Sequence, residues 1–172
     1  VTRYCRFVHV WRVISGMNAC NKLEFNFEQI IEMTRTACLA AKNADAKSRK
    51  VVEVQFPFGE YYAYDRDTAP PLVYTDMIIK SCISFDAFGL QLKFGKNRPG
   101  MHIRDMLQIS SVLDWFSPIG KPIHITEVAV PDNCGKDDFA CDIAGCWHNQ
   151  WDQQMQSDWI EQLYKIVLGK PF

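Results

Sequence analysis

The sequence predicts an α/β fold built on parallel strands, and three observations carry that prediction. Apolar strand patterns alternate with amphipathic helix patterns four times along the 172 residues, the signature of repeated βα units. Neither G-x-G-x-x-G nor G-x-x-x-x-G-K-[ST] follows any strand pattern, which removes the usual dinucleotide and P-loop folds. Polar residues collect just after the C-terminal ends of the strands, where barrel enzymes keep their sites. A doubly wound open sheet and a segment of a (β/α)8 barrel both fit these observations.

Each element has its own justification. Arg6 to Ile14 is rich in β-branched and aromatic residues and ends at Ser15-Gly16, which predicts a first strand over about Phe7 to Ile14. Asn26 precedes Phe27, Ile30, Ile31, Thr34, Cys38 and Ala41, one face of a helix, and Gln29 completes a capping box with it. Val51 to Phe56 is the second strand, closed by Pro57; Thr68 as cap and Pro70-Pro71 in the first turn start the next helix, which runs to about Lys80. Phe85 to Gln91 is the third strand. Ile103, Met106, Leu107, Val112, Leu113 and Phe116 mark a third helix, stopped by Pro118 and Gly120. Ile123 to Val128 is the fourth strand, and after a long loop to about Trp151 a last helix carries Met155, Trp159, Leu163 and Ile166 on one side.

Composition narrows the function classes. Nineteen Lys plus Arg stand against twenty Asp plus Glu without a basic run, so nucleic acid is not an expected partner. No apolar run approaches the roughly 20 residues of a membrane span, so no membrane partner is expected either. The residues from Val1 onward, with Thr2, Arg3 and Tyr4, do not have the charged stretch and apolar core of a secretory signal, and the compartment stays open. Cys134, Cys141, Cys146 and His148 share the long loop but lack a C-x-x-C pair, so neither a metal site nor a cofactor is expected.

Glu127 is the residue that most needs a reason. A carboxylate at the end of an apolar strand is costly to bury without partners or a function. It stands in Lys121-Pro122-Ile123-His124-Ile125-Thr126-Glu127-Val128, which resembles the seventh-strand motif of glycoside hydrolase family 10. Phe85-Asp86-Ala87-Phe88-Gly89-Leu90-Gln91 is similar to the sixth strand of that family, Trp11-Arg12-Val13-Ile14-Ser15-Gly16 to its fourth, and Gln154 to Leu168 to the helix after strand seven. The words fall in the family's order and cover nearly the whole chain.

The resemblance implies a fold and a chemistry. The fold is a segment of a (β/α)8 TIM barrel, about four βα units, the fourth to the seventh, with parallel strands, so that residues 1–172 form one partial barrel domain. The chemistry is retaining hydrolysis of a β-1,4-linked polysaccharide such as xylan by two carboxylates, with Glu127 as the nucleophile and Gln91, Lys93 and Ser15 in the substrate cleft. Two departures limit it. Ser15-Gly16 stands where the family has Asn-Glu, so the acid/base carboxylate is missing, and Lys93 replaces a His that touches the nucleophile. Lys93 should lower the pKa of Glu127.

Glu60, in the loop after the second strand, is the candidate replacement acid, and Glu53 inside that strand is the weaker one. Trp147 and Trp151, with Tyr61, Tyr62 and Tyr64, offer flat faces for sugar rings or anchors for loop packing. A (β/α)8 barrel needs eight units and about 250 residues, so the chain is expected to be a fragment with little activity alone and with open sheet edges that invite self-association. The alternative function is a carbohydrate-binding relative that has lost catalysis.

Overall fold

The computed structural model describes residues 1–20, 22–133 and 144–171. Four strands, β1 (Val10–Ser15), β2 (Arg49–Val54), β3 (Ala87–Lys93) and β4 (Ile123–Ala129), form one sheet in the order β1-β2-β3-β4. Every neighbouring pair is parallel. Strand order follows chain order without a switch point, which excludes the doubly wound alternative and matches a barrel segment.

Among the described residues four longer helices alternate with the strands: α1 (Phe27–Ala44), α2 (Pro71–Lys80), α3 (Met106–Phe116) and α4 (Gln153–Leu168). The α1 start is as the sequence predicts. The Asn26 side chain accepts from the Gln29 amide, and the Gln29 side chain returns the bond to the Asn26 amide, each at 2.9 Å.

Three local expectations need correction. The first strand begins at Val10 rather than Phe7, because residues 2–4 form a short 3-10 turn and Phe7 is 81% exposed; β propensity there finds no partner strand to reward it. Thr68 does not cap α2: its hydroxyl donates to the Asp65 carbonyl, while Pro70 takes the cap position without a side-chain bond. The third helix starts after Asp105, whose capping box with Gln108 outranks the apolar Ile103 as a start signal.

The two sheet faces differ in kind. Val52, Val54, Phe88, Leu90 and Leu92 point to the helix layer and join Ile30, Tyr74, Ile78, Ile109, Leu113, Phe116 and Trp159 in one buried core. Burial on that side accounts for the apolar residue at every second strand position. The alternate positions, Arg12, Val51, Glu53, Gly89 and Gln91, occupy the opposite, concave face, where a complete barrel keeps its packed interior.

Gly89 allows that face to close up. A Cβ at this position would stand 2.5 Å from Thr126 Cγ2 and 3.0 Å from Val51 Cγ1, so any larger residue would push β4 away from β3. Beside it the β3–β4 register skips, Leu90 pairing with Ile125 and Gln91 with Glu127. His124 and Thr126 share the concave face at every second position, and the bulge takes Glu127 out of strict alternation and returns it, opposite Gln91, to that same face.

Candidate active site

The concave face carries one connected polar network that starts from a buried carboxylate. The Glu53 side chain is fully buried. Its Oε1 accepts from Arg12 Nη1 at 2.7 Å and from Thr126 Oγ1 at 2.5 Å, and its Oε2 accepts from Ser15 Oγ. Both oxygens are thus occupied by groups from β1 and β4, the strands on either edge of the sheet.

Glu127 lies beside this hub and is more open, with its side chain 36% exposed. Gln91 Nε2 donates to Oε2 at 2.6 Å, Lys93 Nζ meets Oε1 at 2.5 Å, and Arg12 Nη1 stands 3.9 Å from Oε2. The hydrogen bond from Lys93 outweighs the opposing cost of burial and, with the hydrogen bond from Gln91 and the charges of Lys93 and Arg12, holds the carboxyl below its ordinary range. Glu127 is a carboxylate near neutral pH. Around it Val10, Arg12, Val51, His124 and Thr126 line an open concavity of about 350 Å³.

This pairing has a pH consequence. A carboxyl whose folded pKa is depressed contributes stability that is complete above its unfolded pKa and is lost as pH falls through the folded value. Lys93→Met is therefore expected to raise the Glu127 pKa, read by carboxyl-carbon NMR titration. It should also flatten the acid limb of the stability curve by no more than about 1 kcal/mol, since both groups are partly solvated.

The other sequence candidates divide. Ser15 belongs to the network through Glu53, and Gln55 Nε2 donates to its hydroxyl at 3.1 Å. Gly16 has φ +74°, and a Cβ there would meet the Gln55 side chain at 2.9 Å. The backbone at this position has a conformation that disfavours any side chain, so Gly16→Glu alone would be strained.

Glu60 sits in a 3-10 turn after β2 (Glu60–Ala63) and belongs to a different cluster. Its carboxylate pairs with Arg104, accepts from the Gly100 amide at 2.9 Å and lies 3.8 Å from His102 Nδ1. Burial pushes its pKa up, but the Arg104 and Gly100 hydrogen bonds, with the charges of Arg104 and His102, hold it below its ordinary value.

The aromatic candidates also separate. Trp151 is only 3% exposed and donates to the Gly145 carbonyl, the loop-packing role of the two that the sequence left open. Tyr61 is likewise buried, accepting from Asn18 and donating to the Ala69 carbonyl at 2.6 Å. Trp147 is half-buried beside His148, with ring centroids 4.4 Å apart, and Tyr64 is 80% exposed. Cys134 and Cys141 of the loop-cysteine set lie outside the described residues. Sequence reasoning missed Arg12 and Thr126, whose roles depend on reach across the sheet to Glu53.

Comparison with known proteins agrees with the geometry. No protein-family model matches the chain, and no curated protein matches it by sequence. Solved structures do match. A family 10 glycoside hydrolase from Paenibacillus barcinonensis superimposes with a TM-score of 0.63 at 16% identity, over 96% of this chain and 48% of that one. A psychrophilic family 10 endo-β-1,4-xylanase gives 0.64 at 19% identity, over 97% and 50%. Xylanase 10B of Thermotoga petrophila, solved with xylobiose, gives 0.56 at 17% identity, over 99% and 48%. This chain spans about half the length of the structures it matches. Its fold is that of a four-unit segment of a TIM barrel, of the type found in family 10 glycoside hydrolases.

Proposed function

We propose that this chain is a glycoside hydrolase-like protein whose concave face takes a β-1,4-linked, xylan-type polysaccharide or oligosaccharide and which turns it over poorly by itself. The observation that carries this reading is Glu127, an ionised carboxylate held by Gln91 and Lys93 at the open end of a barrel-type sheet. It has the state and exposure a nucleophile needs. In retaining hydrolysis its oxygen bonds to the anomeric carbon as the glycosidic C–O bond breaks, and the leaving oxygen takes a proton from a second carboxylic acid.

The second group is what this site lacks. Gly16 has no proton to give, and Glu53 is buried with both oxygens engaged. Glu60 remains the candidate replacement acid, but its ion pair with Arg104 stabilises the charged form, which opposes the protonated state an acid must occupy. The same facts favour the second reading, a carbohydrate-binding homologue without catalysis, in which Gln91, Lys93, Glu127, Ser15 and the partly open Trp147 serve a sugar groove.

Binding tests the common part of both readings. Calorimetric titration of the chain with xylohexaose is expected to show saturable binding, weakened tenfold or more in Glu127→Ala and less in Trp147→Ala. Binding equal in wild type and Glu127→Ala would remove the concave face from the account.

A further inference from the structure

We infer that Glu53 is a positioning residue for Glu127: it binds the Arg12 guanidinium to itself and so keeps that cation from closing onto the Glu127 carboxylate. Arg12 Nη1 stands between the two acids, 2.7 Å from Glu53 Oε1 and 3.9 Å from Glu127 Oε2. The first distance is that of a charge-assisted hydrogen bond, and the second is too long for one. Arg12 is the cation bonded to Glu53 among the described residues, whereas Glu127 also has Lys93. Glu53 is fully buried and Glu127 is 36% exposed, so water screens the Glu127 pair more, and leaving Glu53 unpaired would cost more. The Arg12 pKa is raised in the same order: first by the bond to Glu53, then by the charge of Glu53 against a cost of burial, and least by the charge of Glu127.

The backbone aims both sides of this arrangement. In β1, Arg12 pairs with Val51, Ile14 with Val52 and Ser15 with Glu53. Val13 is thus an extra residue, and the bulge returns Ser15, opposite Glu53, to the concave face that Arg12 occupies. Arg12 and Ser15 therefore both reach Glu53. The β4 bulge likewise sets the adjacent residues Thr126 and Glu127 on that face. With Ser15 on one oxygen and Thr126 beside Arg12 on the other, the Glu53 carboxylate is fixed in orientation and holds Arg12 from a fixed point. In a regular β1 strand Ser15 would face the helix layer, and the hold would lose that anchor.

Among the described residues the charged groups against Glu127 are Lys93 from β3 and Arg12 from β1, with Glu53 of β2 behind Arg12 and His124 of β4 lining the same concavity. Glu127 is the other carboxylate that Arg12 approaches, so a guanidinium released by Glu53 has it as its next partner. Glu53→Gln releases the cation with little change of shape. The amide oxygen can still accept from Thr126, and the amide nitrogen can donate to the Ser15 hydroxyl. A cation drawn onto Glu127 favours the charged form, so the Glu127 titration midpoint should fall. Loss of Arg12 should raise it.

The test is a carboxyl-carbon NMR titration of Glu127 in four proteins: wild type, Glu53→Gln, Arg12→Leu and the double variant. The midpoint is expected to be lower by about 0.5 pH unit or more in Glu53→Gln and higher than wild type in Arg12→Leu. Introduced on Arg12→Leu, the Glu53→Gln change should have no further effect, because its route to Glu127 is gone. The Arg12 guanidinium protons read the same hold without a second variant: they should exchange slowly with water in wild type and fast in Glu53→Gln. An unchanged midpoint in Glu53→Gln, an equal fall in the Arg12→Leu background, or guanidinium exchange indifferent to Glu53→Gln would each overturn the inference. None of these readouts involves a sugar, so the inference is tested apart from the function proposed above.

Discussion

Purified chain assayed on xylan is expected to show no turnover at enzyme-like rates. General acid–base assistance is worth about 10² to 10⁴ in rate, and the position that would supply it is Gly16, in a left-handed backbone conformation with Gln55 packed where a side chain would go. The chain also spans about half of the matched barrels, so groups that would hold the sugar from the other side of the cleft are not supplied by it. Misplacement of reacting atoms by about 1 Å can cost roughly 10²-fold. The two losses multiply. Glu60→Ala is expected to leave the residual rate unchanged, because Glu60 is committed to Arg104. Enzyme-like hydrolysis that disappears in both Glu127→Ala and Glu60→Ala would show instead that Glu60 is the acid.

The largest stability effect in the site should come from Arg12→Leu. Its guanidinium is the only cation bonded to Glu53 among the described residues, and Glu53 is fully buried. Removing one partner of a buried pair commonly costs about 3 to 5 kcal/mol because a charge is left uncompensated. Arg12 is nearly half exposed and the hydroxyls of Ser15 and Thr126 remain, so the expected loss is about 2 to 3 kcal/mol by urea unfolding. At roughly 2 to 4 °C per kcal/mol for a chain of this size, the melting temperature should fall by about 5 to 10 °C. The comparison is Glu32→Ala on α1, which breaks an exposed pair with Arg35 and should change stability by no more than about 0.5 kcal/mol. Equal effects from the two variants would mean that the buried hub is not holding β1, β2 and β4 together.

What the sequence revealed and what it hid follow from the range of each interaction. Asn26 with Gln29 was legible because a capping box is local, closed within four residues. Glu127 stood out because a lone carboxylate in an apolar strand needs a reason, whereas Gln91 and Lys93 came into view only through the resemblance of their strand to the family's sixth, and they meet Glu127 from β3. Phe7 misled because β propensity describes a residue's suitability for a sheet, and here the sheet begins three residues later at Val10. Trp151 stayed open because an aromatic residue in a long loop serves packing and recognition equally well until its burial is known. Arg12 was hidden for another reason. Its partners Glu53 and Glu127 lie on different strands, and no pattern along the chain encodes that reach. Thr126 was hidden likewise, its partner Glu53 lying on β2, and the register skip opposite Leu90 and Gln91, which strict alternation denies, is what turns Glu127 to the concave face.

The central claim, a nucleophile without its acid, is tested most directly by a substrate that needs no proton. A dinitrophenyl β-xylobioside releases a stable phenolate unaided, so formation of the glycosyl ester depends on the nucleophile alone, and the ester persists because no base activates water against it. The account predicts slow, stoichiometric release of dinitrophenolate, with one xylobiosyl group attached to Glu127 by peptide mass mapping, complete loss of both in Glu127→Ala, and no cleavage of xylan by the same preparation. Absence of the adduct, or release that continues in Glu127→Ala, would contradict it.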